Sequence, residues 1–333
     1  MRVGSVVLAT DQGLGVLAKQ FYDNGMFDKV LIKQHHAKTT HLEWYPGVPM
    51  FSSYMRHAVR TFLTGLDVVV FFETPFWTEI VADCKRMGIK TVMVPMYEWT
   101  PEVVPYTFDR YICPSLLDVE YCKKLPWLQD VIHLTVPVNP ATWKIRTRAL
   151  RFLHNMGNGS VLGRPGTAEL LESLQYLKSP IELTIRTQNE NFRLSYNEAS
   201  TPAKVTWEGG TKPYDTLFDE YDVLIAPERF NGLSLPLQEA RAAGLFVLTT
   251  DRYPTNIWLP KAGMIPVEKF ELAQVRPGYN QFAIATVDPK AIAAKIDEIY
   301  DTDITEYSLS GYDWASRNSW NALGPIWKNL IVN

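Results

Sequence analysis

Glu228, Asn231, Gly232, Ser234 and Glu239 are the residues of this chain whose types and spacing best suit chemistry. They lie in YDVLIAPERFNGLSLPLQEARAAGLFVLTT, residues 221–250, which is expected to form strand, loop, helix and strand in turn. Residues 221–226 are a short apolar run ending at Pro227. Residues 237–243 have helical character closed by Gly244, and 246–250 begin another buried strand. In an open α/β sheet, ligands sit outside the carboxyl ends of the strands, where helix N-termini offer free N–H groups to anions. Glu239, expected on the first turn of the helix, is placed to accept hydrogen bonds from vicinal hydroxyls such as those of a ribose. The segment points to a nucleotide-sugar site.

Elements able to hold such a loop recur along the chain. Residues 3–9 form an expected strand, followed by Asp11-Gln-Gly-Leu-Gly15 and a helix over 16–24. Further strands are expected at 29–33, 68–72, 91–95, 110–113 and 131–135. Residues 137–140 and the basic stretch 144–148 make a linker. A second series of strands then runs through 150–155, 181–186, 204–207, 223–226 and 246–250. Alternation of strands and helices favours a parallel α/β sheet with crossover helices. The two halves are alike in plan, so two Rossmann-like domains facing across a cleft are expected.

G-L-S-L-P-L-Q-E-A-R-A-A-G-L-F-V, from Gly232 to Val247, resembles the donor-site signature of retaining glycosyltransferases of the GT-B fold, the group 1 superfamily. That signature carries two glutamates separated by seven residues. Glu239 matches the second, and the first position is Asn231, with Glu228 three residues earlier. The resemblance implies that Asn231, or Glu228 from a shifted loop, lies near the transferred sugar. It also implies that Glu239 holds the ribose, with Gly232, Leu233 and Ser234 in the donor site. Residues 108–115, 136–139 and 206–210 resemble further family segments in the expected order. The ending, 314–330, resembles terminal helices that cross back to the first domain. The implied division is 1–140 as the acceptor-side domain, 149–315 as the donor domain, and 316–333 as the returning helix.

Two glycine loops follow. Gly13 and Gly15 allow close backbone approach after the first strand, beside the donor diphosphate in the resembling family, or else simply close a tight turn. Residues 155–167 resemble the family's basic diphosphate loop. There Arg164 matches the family arginine, Pro165 replaces the usual lysine, and Arg186 is expected to supply the second charge. Fixed cations aimed at a leaving phosphate stabilise charge that develops in the transition state. On the acceptor side, Tyr97 and Glu98 stand where the family often carries a histidine, and Glu73 ends the preceding strand. His35, His36 and His41 cluster near Trp44 and Tyr45, without third-ligand spacing for a metal. His154, on a strand, is expected to be packed rather than to act as a base.

A chain of 333 residues suits two domains that each bury a core, and 46% apolar residues is a globular composition. A net charge of −3 excludes a generally basic nucleic-acid footprint. A local patch of 33–38 and 56–60 around Trp44 and Tyr45 stays open. Cys84, Cys113 and Cys122 have neither metal nor disulfide-framework spacing, and fit a reducing compartment. No apolar run approaches the ~18 residues of a membrane span, so a soluble, cytoplasmic protein is expected.

The resemblance implies a retaining, metal-independent transfer of a hexosyl or pentosyl unit. The donor is a nucleoside-diphosphate sugar, UDP-sugar first, with no cofactor required, and the acceptor is a hydroxyl of a small molecule, saccharide or lipid-linked sugar. Bacteriophage-type members that modify hydroxymethylated pyrimidines in DNA are the alternative. A sugar-nucleotide epimerase of the same fold is a third.

Overall fold

The apolar runs of the first half are short and continuous, as strands buried on both faces require. In the computed structural model they are β1 (Val3–Val7), β2 (Lys29–Lys33), β3 (Met50–Phe51), β4 (Val68–Glu73), β5 (Lys90–Pro95), β6 (Arg110–Cys113) and β7 (Val131–His133). They pair in parallel in the order β3-β2-β1-β4-β5-β6-β7. The crossovers include α1 (Gly13–Asp23), α2 (Arg56–Leu63), α3 (Thr78–Arg86) and α4 (Leu116–Cys122). The structure describes residues 1–35, 40–125, 130–139, 143–157, 161–189, 193–210, 212–213 and 216–333.

The second half repeats this plan. β8 (Arg151–Gly157), β9 (Glu182–Thr187), β10 (Lys204–Gly209), β11 (Val223–Ala226), β12 (Phe246–Thr250) and β13 (Met264–Ile265) form a parallel sheet in the order β10-β9-β8-β11-β12-β13. Its helices are α5 (Thr167–Ser173), α6 (Leu235–Ala242), α7 (Thr255–Trp258), α8 (Pro289–Ile299) and α9 (Thr305–Arg317). An antiparallel hairpin, β14 (Lys269–Ala273) and β15 (Phe282–Thr286), stands apart from the sheet. Its core gathers Phe152, Leu183, Ile185, Val223, Ile225 and Leu248 against Leu170, Leu174, Ile292 and Ile296.

Two units result. One comprises Met1–Pro137, Arg276–Asn280 and Trp320–Asn333, the other Val138–Val275 and Gln281–Ser319. The last helix, α10 (Trp320–Val332), belongs to the first. Trp327 is fully buried there, meets Phe21 edge-on at 5.0 Å between ring centres, and donates Nε1–H to the Thr135 carbonyl at 2.9 Å. Each sheet reverses its winding once, between β1 and β4 in the first unit and between β8 and β11 in the second. At such a reversal the crossovers leave in opposite directions, opening a crevice at the strands' carboxyl ends.

Several local expectations are corrected. Helix α1 starts at Gly13, so Gly13 and Gly15 lie in its first turn rather than in the preceding loop. The basic stretch 144–148 is strapped to the second unit. Arg146 is buried and donates to the Tyr221 and Phe218 carbonyls at 2.7 and 3.0 Å, and Lys144 pairs with Asp219 at 3.0 Å. Pro140, the end of the expected linker, lies outside the described residues. Strands β3 and β13, of two residues each, are too short to leave a pattern, and β14 is exposed over most of its length.

Candidate functional site

The second unit gathers its sequence-expected residues at the carboxyl edge of its sheet, around the β8/β11 reversal. Beyond β11 the chain turns sharply, and the Glu228 N–H bonds the Ala226 carbonyl at 2.7 Å. The Glu228 carboxylate is directed inward. It pairs with the buried Arg252 guanidinium at 2.6 Å and accepts from Ser234 Oγ at 2.8 Å and Asn231 Nδ2 at 3.0 Å. Asn231 Oδ1 accepts the Ser234 N–H at 3.0 Å, and Arg252 also donates to the carbonyls of Glu228 and Asn231 at 3.1 and 2.6 Å. Ser234 is held at φ 50°, a left-handed conformation that costs a non-glycine residue about 1–2 kcal/mol. It persists because the surrounding bonds over-determine it.

Glu228 and Asn231, expected as alternatives, occur side by side in this loop. They are bonded to each other, and together they build the loop. Arg252, just past β12, was missed in the sequence because an isolated arginine after a strand carries no motif. The available signal was Glu228 itself, since a carboxylate buried in an apolar loop requires a counter-charge. Gly232 and Leu233 are buried within the same loop.

Helix α6 begins at Leu235, because Pro236 fits a first turn that needs no N–H at that position. Glu239 therefore falls on the second turn, not the first. Its carboxylate has no hydrogen-bond or ionic partner among the described residues, and desolvation alone pushes it up to about 8. Across the reversal, the Arg164 carbonyl accepts the Arg229 N–H at 2.9 Å, which ties the β8–α5 loop to the one after β11. Gly166 makes that approach possible. It has φ 70°, and a β-carbon there would overlap the Pro227 carbonyl oxygen. The Arg164 guanidinium has no partner among the described residues. Residues 158–160 of the same glycine loop lie outside them.

Arg186, expected to supply the second charge, is engaged within the unit. It is 6% exposed and spent internally, donating to Glu208 Oε2 at 3.0 and 3.2 Å and to the Leu217 carbonyl at 2.8 Å. His154 is buried, donates Nδ1–H to the Ile225 carbonyl and accepts from Thr167 Oγ1, both at 2.8 Å. Burial pushes it down to about 4.

In the first unit, Gly15 answers a spatial need, since a β-carbon would overlap the Thr10 carbonyl oxygen, while Gly13 is exposed at the helix start. Glu73, at the β1/β4 reversal, has φ 63° and is followed by a tight Thr74 N–H to Phe72 carbonyl bond of 2.7 Å. The Tyr97 N–H is held by Asp118 Oδ1 at 2.6 Å. Glu98 is buried beside Asp118, whose carboxyl is pushed up to about 8, chiefly by desolvation and also by Glu98. Trp44 stacks on His41 with ring centres 4.7 Å apart, whereas Tyr45 is buried and offers no face to a base. Lys33 donates to the Gln34 and Ser52 carbonyls, and His36 and Lys38 lie outside the described residues. Among the described residues there is no group of three His, Cys, Asp or Glu side chains that could hold a metal ion, and no helix long and apolar enough to cross a membrane.

No protein-family model and no curated protein matches the chain in sequence. Solved structures do. A glycosyltransferase from Rickettsia africae superposes with a TM-score of 0.68 at 12% identity, covering 100% of this chain and 98% of that one. Anabaena HepE (Alr3699), in complex with UDP, gives 0.66 at 10% identity over 99% of both chains. Sucrose-phosphate synthase from Thermosynechococcus elongatus gives 0.63 at 11% identity, again over 99% of both. At such identities the likeness establishes the fold: this chain has the two-domain α/β GT-B fold of glycosyltransferases.

Proposed function

We propose that the chain is a retaining glycosyltransferase that takes a nucleoside-diphosphate sugar, UDP-sugar first, and transfers the sugar to a hydroxyl acceptor. The observation that carries the reading is the desolvated Glu239 carboxylate on the second turn of α6, which has no partner among the described residues. A half-buried carboxylate with no donor among the described residues is suited to accept both hydroxyls of a ribose. Arg164, equally uncommitted among the described residues, is assigned to the diphosphate, and the Gly232–Ser234 backbone to the sugar. Glu228, Asn231 and Arg252 hold that backbone in place as positioning residues. HepE, of the same fold, was solved with UDP, which supports the choice of nucleotide.

In the proposed reaction the acceptor oxygen attacks the anomeric carbon on the face from which the diphosphate departs. The C–O bond to the β-phosphate breaks, and a β-phosphate oxygen takes the acceptor proton. The protein supplies charge stabilisation and orientation, so no basic side chain is required and no metal is assigned a role. Glu73, in its strained turn, is assigned to the acceptor side. A saccharide acceptor is preferred over a DNA base, because Tyr45 is withdrawn from the surface and Lys33 is spent on carbonyls.

Calorimetry with UDP, GDP, ADP and their sugar conjugates, with and without EDTA, tests the donor assignment. One nucleotide series should bind the native protein, and Glu239→Ala should weaken it at least tenfold. Equal affinity in the variant would refute the ribose role. Incubation with donor alone separates the epimerase alternative, which changes the sugar without an acceptor, and NMR of the product reads the anomeric configuration.

A further inference from the structure

The β14–β15 hairpin takes no part in the proposed reaction. Among the described residues β14 is paired on one side only, by β15. Ala285 of β15 gives its N–H to the Arg229 carbonyl at 2.7 Å, away from β14. Opposed residues of an antiparallel pair direct their main-chain groups either both toward each other or both away. Phe270, opposite Ala285, therefore turns its N–H and C=O outward, and Leu272, two residues on, does the same. The side chains of this edge alternate in kind. Phe270 and Leu272 are 52% and 74% exposed on one face, while Lys269 and Glu271 pair at 2.8 Å on the other.

We propose that β14 is a self-association edge, pairing antiparallel with β14 of a second copy about a two-fold axis at Phe270. Phe270 exchanges both main-chain hydrogen bonds with its symmetry mate. Lys269 then faces the partner's Glu271, and Glu271 the partner's Lys269. The two Phe270 rings meet on the opposite face. Charge selects this register: slipping by two residues sets Glu271 against Glu271 in one direction, and Lys269 against Lys269 in the other. Slipping by one sets Phe270 against Glu271, so the apolar and charged faces no longer match. Such a two-fold contact is self-complementary and closes at the dimer. One strand contributes a small interface, below the ~1,200 Å² of stable complexes, so the dimer dissociates on dilution.

Sedimentation equilibrium of the full chain, from low to high micromolar concentration, tests this. The native protein should show a reversible monomer–dimer equilibrium. Lys269→Glu and Glu271→Lys should each weaken dimerisation at least tenfold, because each places like charges opposite one another. The double variant Lys269→Glu/Glu271→Lys should restore it, and Leu272→Lys provides a check on the apolar face. All of these positions are exposed, and melting curves verify folding. A native protein that stays monomeric throughout overturns the proposal. So does a dimer that all variants retain equally, or a double variant no better than the singles.

Discussion

Desolvation lifts the Glu239 carboxyl to about 8 in the folded chain, well above its ordinary 4.5, and this fixes the sign of two pH effects. A raised folded value means that the native state binds the proton more tightly than the unfolded state. The associated stability is fully present below about pH 4.5 and is lost as pH rises through about 8. Glu239→Gln should therefore melt higher than the native protein above about pH 8, and the gap should close in acid; thermal scans across pH check it. Nucleotide affinity should move the other way, since the ionised carboxylate is the better hydroxyl acceptor. It should strengthen up to about pH 8 in the native protein and stay flat in Glu239→Gln. The two arginines are separated by a second comparison. Arg164→Ala should lower affinity for diphosphate nucleotides by about 10–100-fold with little change in stability. Arg186→Ala removes the buried guanidinium and its bonds to Glu208 and the Leu217 carbonyl, leaves Glu208 only Lys212 and the Tyr221 hydroxyl, and should cost about 1–2 kcal/mol of unfolding free energy. Urea melts and calorimetry together read both. Glu239 and Arg164 could be nominated from the sequence because motif spacing marks them. Arg252 and the internal role of Arg186 could not, because nothing local marks which distant carboxylate a guanidinium will meet.

At the scale of elements, Gly166 joins the β8–α5 and β11–α6 loops. Alanine there faces both the left-handed backbone penalty and an overlap with the Pro227 carbonyl oxygen, together about 2–4 kcal/mol. Gly166→Ala should lower the urea midpoint and weaken nucleotide binding together, because Arg164 is carried on the displaced loop. A variant that bound normally while destabilised would show that the loop contact is structural only. The glycines were visible in the sequence, but their reasons differ. Gly166 needs its positive φ and its space, whereas Gly15 needs only space beside Thr10, and a sequence does not distinguish these demands. Helix starts shifted for similar reasons. Pro236 draws α6 forward by two residues, which moves Glu239 from the first turn to the second.

At the scale of the whole molecule, the chain ends inside the unit in which it began. Trp327 is buried against Phe21 and bonded to the Thr135 carbonyl, so the final helix completes the first unit's core. Trp327→Ala should cost about 3–5 kcal/mol. It should lower the melting of the first unit, read by the near-UV signal of its aromatic cluster, while leaving UDP affinity at the β8/β11 reversal within a few-fold. Loss of both together would mean that the two units unfold as one.

The strand–helix alternation, the doubled plan and the positions of Glu239, Arg164 and the loop glycines were determined by the sequence, because they rest on local periodicity and on motif spacing. Partnership was decided by the tertiary structure alone. Glu228 turns inward to Arg252, Arg186 goes to Glu208, Tyr45 is buried, and β14 keeps an edge unpaired among the described residues. Each outcome depends on which residues far apart in the chain share a low-dielectric space, and on which donors and acceptors the packing leaves unmatched.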